Sequence, residues 1–340
     1  LLPARADPTP PRRRDSCPPC ESPCSSLRGG RLRRSARAQA WVRCWPPSSL
    51  SSVPVAHSTG GIDACVRLAR TWRNSRDVRD RYVIVANTVE QELALGPIDW
   101  PVEPLMENET FLCVERALLV HVESELLKAP TSALLQRAEY RLSRFWADVI
   151  PAIQARWALI SSAAEVLLEA DRVGKAIKKA PTTVPALVKA YADDDEPWCL
   201  LDTHHRHMES RKYNFEFVAS TDHDGLEKLI TKAEQRYTAV GSELAKHFIT
   251  HFHKAKHPIP AVLRQRDIFE KKVKLLLGEG KVAYVWVDAL RFEMARELAR
   301  LLTDDFKVEV QPAIAALPTI TEIGMAALLP KAHESAKVVS

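Results

Sequence analysis

Residues 284–298 read Tyr-Val-Trp-Val-Asp-Ala-Leu-Arg-Phe-Glu-Met-Ala-Arg-Glu-Leu, and the meaning of Asp288 within them decides the fold. The run before it, Val282 to Val287, has the length and β-branched content of a strand buried on both faces. It ends on a carboxylate, and an apolar-periodic helix over 290–302 follows at once. A carboxylate is costly to desolvate, so it needs a reason to be there. It could be a metal ligand at the carboxyl end of an α/β sheet, or it could cap the next helix.

Working outward, Phe306 to Val310 reads as a second strand. Leu317-Pro318-Thr319 then leads into a helix over about 320–329, and a third strand could begin at Val338. Strand, helix and strand at these lengths predict a βαβ unit with a parallel sheet and a right-handed crossover. The chain reaches Ser340 with too little sheet to bury itself, so residues 278–340 read as the incomplete opening of an α/β domain.

Upstream, residues 61–277 read as a mainly helical region. Phe145, Trp146, Val149, Ile150, Ile153, Trp157 and Ile160 recur at helical spacing. So do Leu226, Leu229, Ile230, Ala233, Tyr237, Val240, Leu244 and Phe248, with shorter stripes around 112–127, 163–177 and 262–277. The expected fold class is thus an α-helical N-terminal region followed by an incomplete α/β domain.

Residues 1–60 differ in kind. They hold 10 Arg and no Lys against Asp7, Asp15 and Glu21, a balance of 10 − 3 = +7, so the remaining 280 residues carry 5 − 7 = −2. They also hold ten of the 23 prolines and show no hydrophobic period, which predicts disorder or a stretch that is not native protein. A charge argument for nucleic acid would rest on this segment alone. Cys17-Pro-Pro-Cys20 with Cys24 has no fourth ligand at ribbon spacing. Cys65, Cys113 and Cys199 sit in apolar contexts and read as free thiols of a reducing cytoplasm. No run approaches 18 apolar residues, so no membrane span is expected. There is no signal peptide pattern and no initiator Met, which suggests a fragment.

Chemistry in open α/β sheets collects at the carboxyl ends of the strands. Asp288 lies at one such end and Pro318-Thr319-Ile320-Thr321-Glu322 at another. Thr319 and Glu322 fit a capping box. That leaves Thr321 in the first helical turn, where free N–H groups stabilise an anion. Thr321 is the candidate nucleophile and Thr319 the fallback. A coordinated zinc ion would lower the hydroxyl pKa further. Arg291, one turn into the helix, could contact phosphate or pair with Glu293 or Glu297. Two histidine groups offer a rival metal site: His247, His251, His253 and His257, and His204, His205 and His207. The first lacks the Glu that zinc proteases place after the leading His, since Phe248 stands there.

"VAYVWVDALRFEMARELARLL" followed by "ALPTITEIGMAALLP" resembles the opening of the PglZ domain, a branch of the alkaline phosphatase superfamily. The helical region, with "WCLLDTHHRHMES" at 198–210, is similar to the segment that precedes this domain in PglZ proteins. The resemblance implies an alkaline phosphatase-like parallel-sheet core and a two-metal site, with zinc the expected ion. Asp288 would bind one metal, and Thr321 would attack phosphorus to give a phosphoryl-threonine. It implies a phosphatase or phosphodiesterase of a BREX-type phage-resistance system. The implied partners are a DNA methyltransferase and ATPases, with nucleic acid as a possible substrate. The family's further ligands, an Asp-x-x-x-His and an Asp-His with a later His, are not found within 281–340, so this stretch by itself is expected to be inactive. The alternative is a non-catalytic scaffold that docks other defence subunits.

Overall fold

The computed structural model describes residues 59–95, 102–192, 195–218, 224–255, 259–278 and 280–335. The chain divides into two compact units, 1–65 and 66–340, and the second is described below. The Cys17/Cys20/Cys24 group, His257 and the strand expected from Val338 lie outside the described residues.

The helices are α1 (Thr59–Asn74, crossing the unit boundary), α2 (Arg79–Glu92), α3 (Leu112–Lys128), α4 (Ser132–Leu142) and α5 (Pro151–Ile177), followed by α6 (Val184–Ala192), α7 (Leu200–Val218) and α8 (Asp224–Lys254). Helix α5 is the centre of the unit, with α4, α7 and α8 packed along it. Trp157, Ile160, Ala164, Leu167, Ala170 and Val173 form its buried stripe at helical spacing. Pro151 occupies its first turn, where the missing N–H costs nothing. This corrects the single stripe read from Phe145 to Ile160. Residues Phe145–Val149 form a separate turn, and Ile150 is extended ahead of the proline. Helix α4 is capped by Thr131, whose hydroxyl accepts from the Leu134 N–H at 3.3 Å.

The core also holds charge. Glu115 and Arg141 are both fully buried and ion-paired, linking α3 to α4. Trp157 Nε1 donates to Glu115 Oε1 at 2.5 Å, and Arg141 donates to the Met106 carbonyl at 2.9 Å. Glu115 and Arg141 thus meet partners from several different segments.

After α8, β1 (Leu263–Arg264) leads through a short helical stretch to a segment over 281–287 that is neither helix nor strand. Then come α9 (Phe292–Leu302), β2 (Ala313–Ile314) and α10 (Thr321–Ala327). The two strands pair in parallel, Leu263 with Ala313 and Arg264 with Ile314. A parallel pair exists as expected, but it joins 263–264 to 313–314 rather than 282–287 to 306–310.

Residues 282–287 depart from the expected buried strand. Val285 is 76% exposed and Trp286 38%, and among the described residues no strand is hydrogen-bonded to them. A parallel strand is buried by neighbours in its sheet and helices over its faces, and neither covers this segment. Tyr284 is its anchor, donating to the Leu328 carbonyl at 3.2 Å and packing near Phe269. Residues 307–310 are neither helix nor strand, with Phe306 and Val310 exposed. Among the described residues, no helix is long and apolar enough to cross a membrane.

Candidate active site

Helix α9 starts at Phe292 with Arg291 as its N-cap residue, and no side chain caps it. Asp288 lies three residues before that cap, so the capping explanation of Asp288 fails. Its carboxylate instead turns back onto the chain. Oδ1 accepts the Ala289 N–H at 2.9 Å, and Ala289 takes a left-handed conformation with φ 54°. That turn follows the 281–287 segment and leaves the carboxylate exposed.

The second half of the site is Thr321, the first residue of α10. Its hydroxyl donates to the Asp288 carboxylate, 3.3 Å from Oδ2 and 3.4 Å from Oδ1. The expected Thr319/Glu322 capping box does not form. Ile320 is the N-cap residue, one position too late for the box, and no side chain caps the helix. Thr319 is exposed, and no hydrogen bond joins it to Asp288.

Gln265 holds this geometry from β1's side. Its Oε1 accepts the Ala316 N–H at 2.9 Å and its Nε2 donates to the Gly324 carbonyl at 3.1 Å. One side chain therefore ties the loop that carries Thr319 to α10, which begins at Thr321. Sequence reasoning missed it, because a lone Gln before an acidic turn carries no motif. Arg291 is 2.9 Å from buried Glu293, the first of the two pairings considered for it. Glu297 goes elsewhere, to Arg206 and to His207 Nε2 at 2.6 Å, which ties α9 to α7.

The rival histidine sites are occupied by structural contacts. His247 Nε2 lies 3.0 Å from the Pro181 carbonyl, and His204 Nδ1 lies 3.6 Å from Glu165. His205 stacks on Tyr237 at 3.7 Å between ring centres. Burial, reinforced by Arg206 and Arg211, holds the His207 pKa below its ordinary value, and burial does the same for His205. Cys113 and Cys199 are buried free thiols. Burial, with Glu90 beside it, pushes Cys113 up to about 12.

Among the described residues no group of three or more His, Cys, Asp or Glu is placed to hold a metal ion. A structural or catalytic zinc takes about four ligands. Asp288 and Thr321 offer only two ligating side chains, so the pair does not hold a divalent ion by itself.

Residues 268–338 match the family model of the BREX system PglZ alkaline phosphatase-like domain, a span that contains both Asp288 and Thr321. Residues 268–338 are thus similar to the PglZ domain. The chain is 26% identical over 319 residues to the alkaline phosphatase-like protein BrxZ of Escherichia coli O9:H4 (strain HS), an alignment covering 88% of this chain and 35% of that protein. It is 24% identical over 260 residues to the alkaline phosphatase-like protein PglZ of Bacillus cereus (strain H3081.97), covering 73% of this chain and 29% of that protein. The chain thus spans about a third of the length of the curated relatives it matches. The PglZ-like similarity also runs through the helical region, since both alignments are longer than the matched domain. No solved structure matches the chain.

Proposed function

We propose that this chain contributes the nucleophile-bearing part of a phosphoric-ester hydrolase in a BREX-type phage-resistance system. The observation that carries the reading is the Thr321–Asp288 hydrogen bond inside the PglZ-matched span. Asp288 holds the hydroxyl proton to one side, leaving an Oγ1 lone pair free for phosphorus. Attack forms the Oγ1–P bond and breaks the P–O bond to the leaving group, which departs as an alkoxide and takes a proton from water, while the hydroxyl proton passes to Asp288. Water then hydrolyses the phosphoryl-threonine. Arg291 would leave Glu293 to contact a phosphate oxygen. Metal dependence, with zinc as the expected ion, comes from the resemblance, and no step is assigned to a metal with the donors present. A DNA methyltransferase and ATPases of the same defence system are the proposed partners, and the cytoplasm is the proposed site of action.

The exposed apolar residues Val285, Trp286, Val287 and Leu290 favour a second reading, a scaffold that docks defence subunits. Hydrolysis of bis-p-nitrophenyl phosphate separates the two. The complete product of the gene should turn it over in the presence of divalent ions, and D288N should lower the rate. The 340-residue chain alone should not turn it over. Equal turnover by D288N, or none by the complete product with any divalent ion, would leave the scaffold.

A further inference from the structure

A polar cavity of about 520 Å³ opens where the end of α1, the start of α2 and the turn after α4 meet. Four arginines line it: Arg73, Arg76, Arg79 and Arg144. Two carboxylates face them. Glu109 pairs with Arg73 at 2.7 Å and Asp148 pairs with Arg79, so the lining keeps a surplus of two positive charges. Arg73 and Arg79 also lie over the Phe145 ring, at 5.9 and 5.2 Å from its centre, and Arg144 lies 3.7 Å from the centre of Tyr140. These contacts fix the guanidinium groups without giving them acceptors.

The second observation is an unmet need. The Nε–H groups of Arg73, Arg79 and Arg144 are buried, and none has a hydrogen-bond partner among the described residues. A buried donor without an acceptor is costly, so three around one cavity call for an explanation. Surplus charge and four guanidinium groups, three of them with an idle Nε–H, describe an oxyanion site. A carboxylate offers two oxygens, whereas a phosphate group offers three or four and matches guanidinium forks bidentately.

We propose that this cavity binds a phosphate group, as a free phosphate or monoester or as part of a nucleic-acid strand. The site lies outside the PglZ-matched span, and the proposal does not depend on the hydrolase reading.

The test is equilibrium dialysis of the 340-residue chain against radiolabelled inorganic phosphate, at fixed ionic strength and with a chelator present. The chelator keeps divalent ions from creating a phosphate site at Thr321. The expected result is saturable binding that the double variant R76A/R144A weakens by about tenfold or more, the loss of two charged hydrogen-bond donors. R144K should fall between, because it keeps charge but not the fork. Far-UV circular dichroism confirms that the variants fold, and R144K alone serves if the double variant does not. A short single-stranded oligonucleotide distinguishes the sources. Competition with phosphate that the double variant abolishes means the phosphate belongs to nucleic acid, and no competition means a small phosphate compound. No saturable phosphate binding, or binding that neither R76A/R144A nor R144K weakens, overturns the proposal.

Discussion

The Thr321 hydroxyl donates to the Asp288 carboxylate across 33 residues of sequence, at 3.3 and 3.4 Å from its two oxygens. The two residues come from separate segments, Asp288 from just after 281–287 and Thr321 from the first turn of α10. Both are exposed, so this contact adds little stability. T321V should accordingly leave the thermal midpoint within the scatter of a surface substitution, about 0.5 kcal/mol. A large loss of stability in T321V would mean the pair is structural.

Gln265 acts on Thr321 through the loop. Q265A removes two half-buried hydrogen bonds, to Ala316 and Gly324, and should cost about 1–3 kcal/mol by urea denaturation. If Gln265 positions Thr321, turnover by the complete gene product should fall in Q265A and recover in part in Q265E, whose carboxylate still accepts from Ala316. Activity indifferent to Q265A would remove it from the site.

The buried Glu115–Arg141 pair makes a sharper stability prediction. E115A leaves a guanidinium with no exposure and no carboxylate, and also strips the Trp157 Nε1–H of its acceptor. A loss of about 3–5 kcal/mol is expected, and E115Q should recover part of it through the tryptophan contact. A loss below 1 kcal/mol would show that the interior tolerates the bare arginine.

The pH dependence follows from His205 and His207. Both have pKa values below the ordinary 6.5 in the folded chain, first because of burial. The unfolded chain therefore binds protons more readily as pH drops through 6.5. Stability should be constant above that value and decline on the acid side of it. Arg206, Arg211, Glu165 and Glu297 face the His207 ring, and Glu209, Glu234, Asp202 and Arg291 act on that of His205. The urea midpoint should drop between pH 7.5 and 5.5, and the double variant H205Q/H207Q should flatten the decline. A midpoint that rises on acidification would contradict the assignment.

What the sequence revealed depended on how local each signal was. The stripe from Leu226 to Phe248 predicts α8 because its pattern is decided within one helix. The stripe from Phe145 to Ile160 failed at Pro151, where a covalent ring overrides an apolar period. The strand over 282–287 depended on neighbours, and β-branched composition cannot supply them. Asp288 and Thr321 could be named because each ends or begins an element. Their hydrogen bond was not legible, because Gln265 sets the loop that brings them together.

The central claim is that Thr321 becomes phosphorylated during turnover. The complete gene product would be mixed with an excess of p-nitrophenyl phosphate and a divalent ion, quenched in acid within the first turnover and digested for peptide mapping. The account predicts phosphothreonine at Thr321, absent from T321A, together with a fall in turnover of about a thousandfold or more in that variant. Phosphate found on Thr319 instead, or T321A turning over at the parental rate, would contradict it.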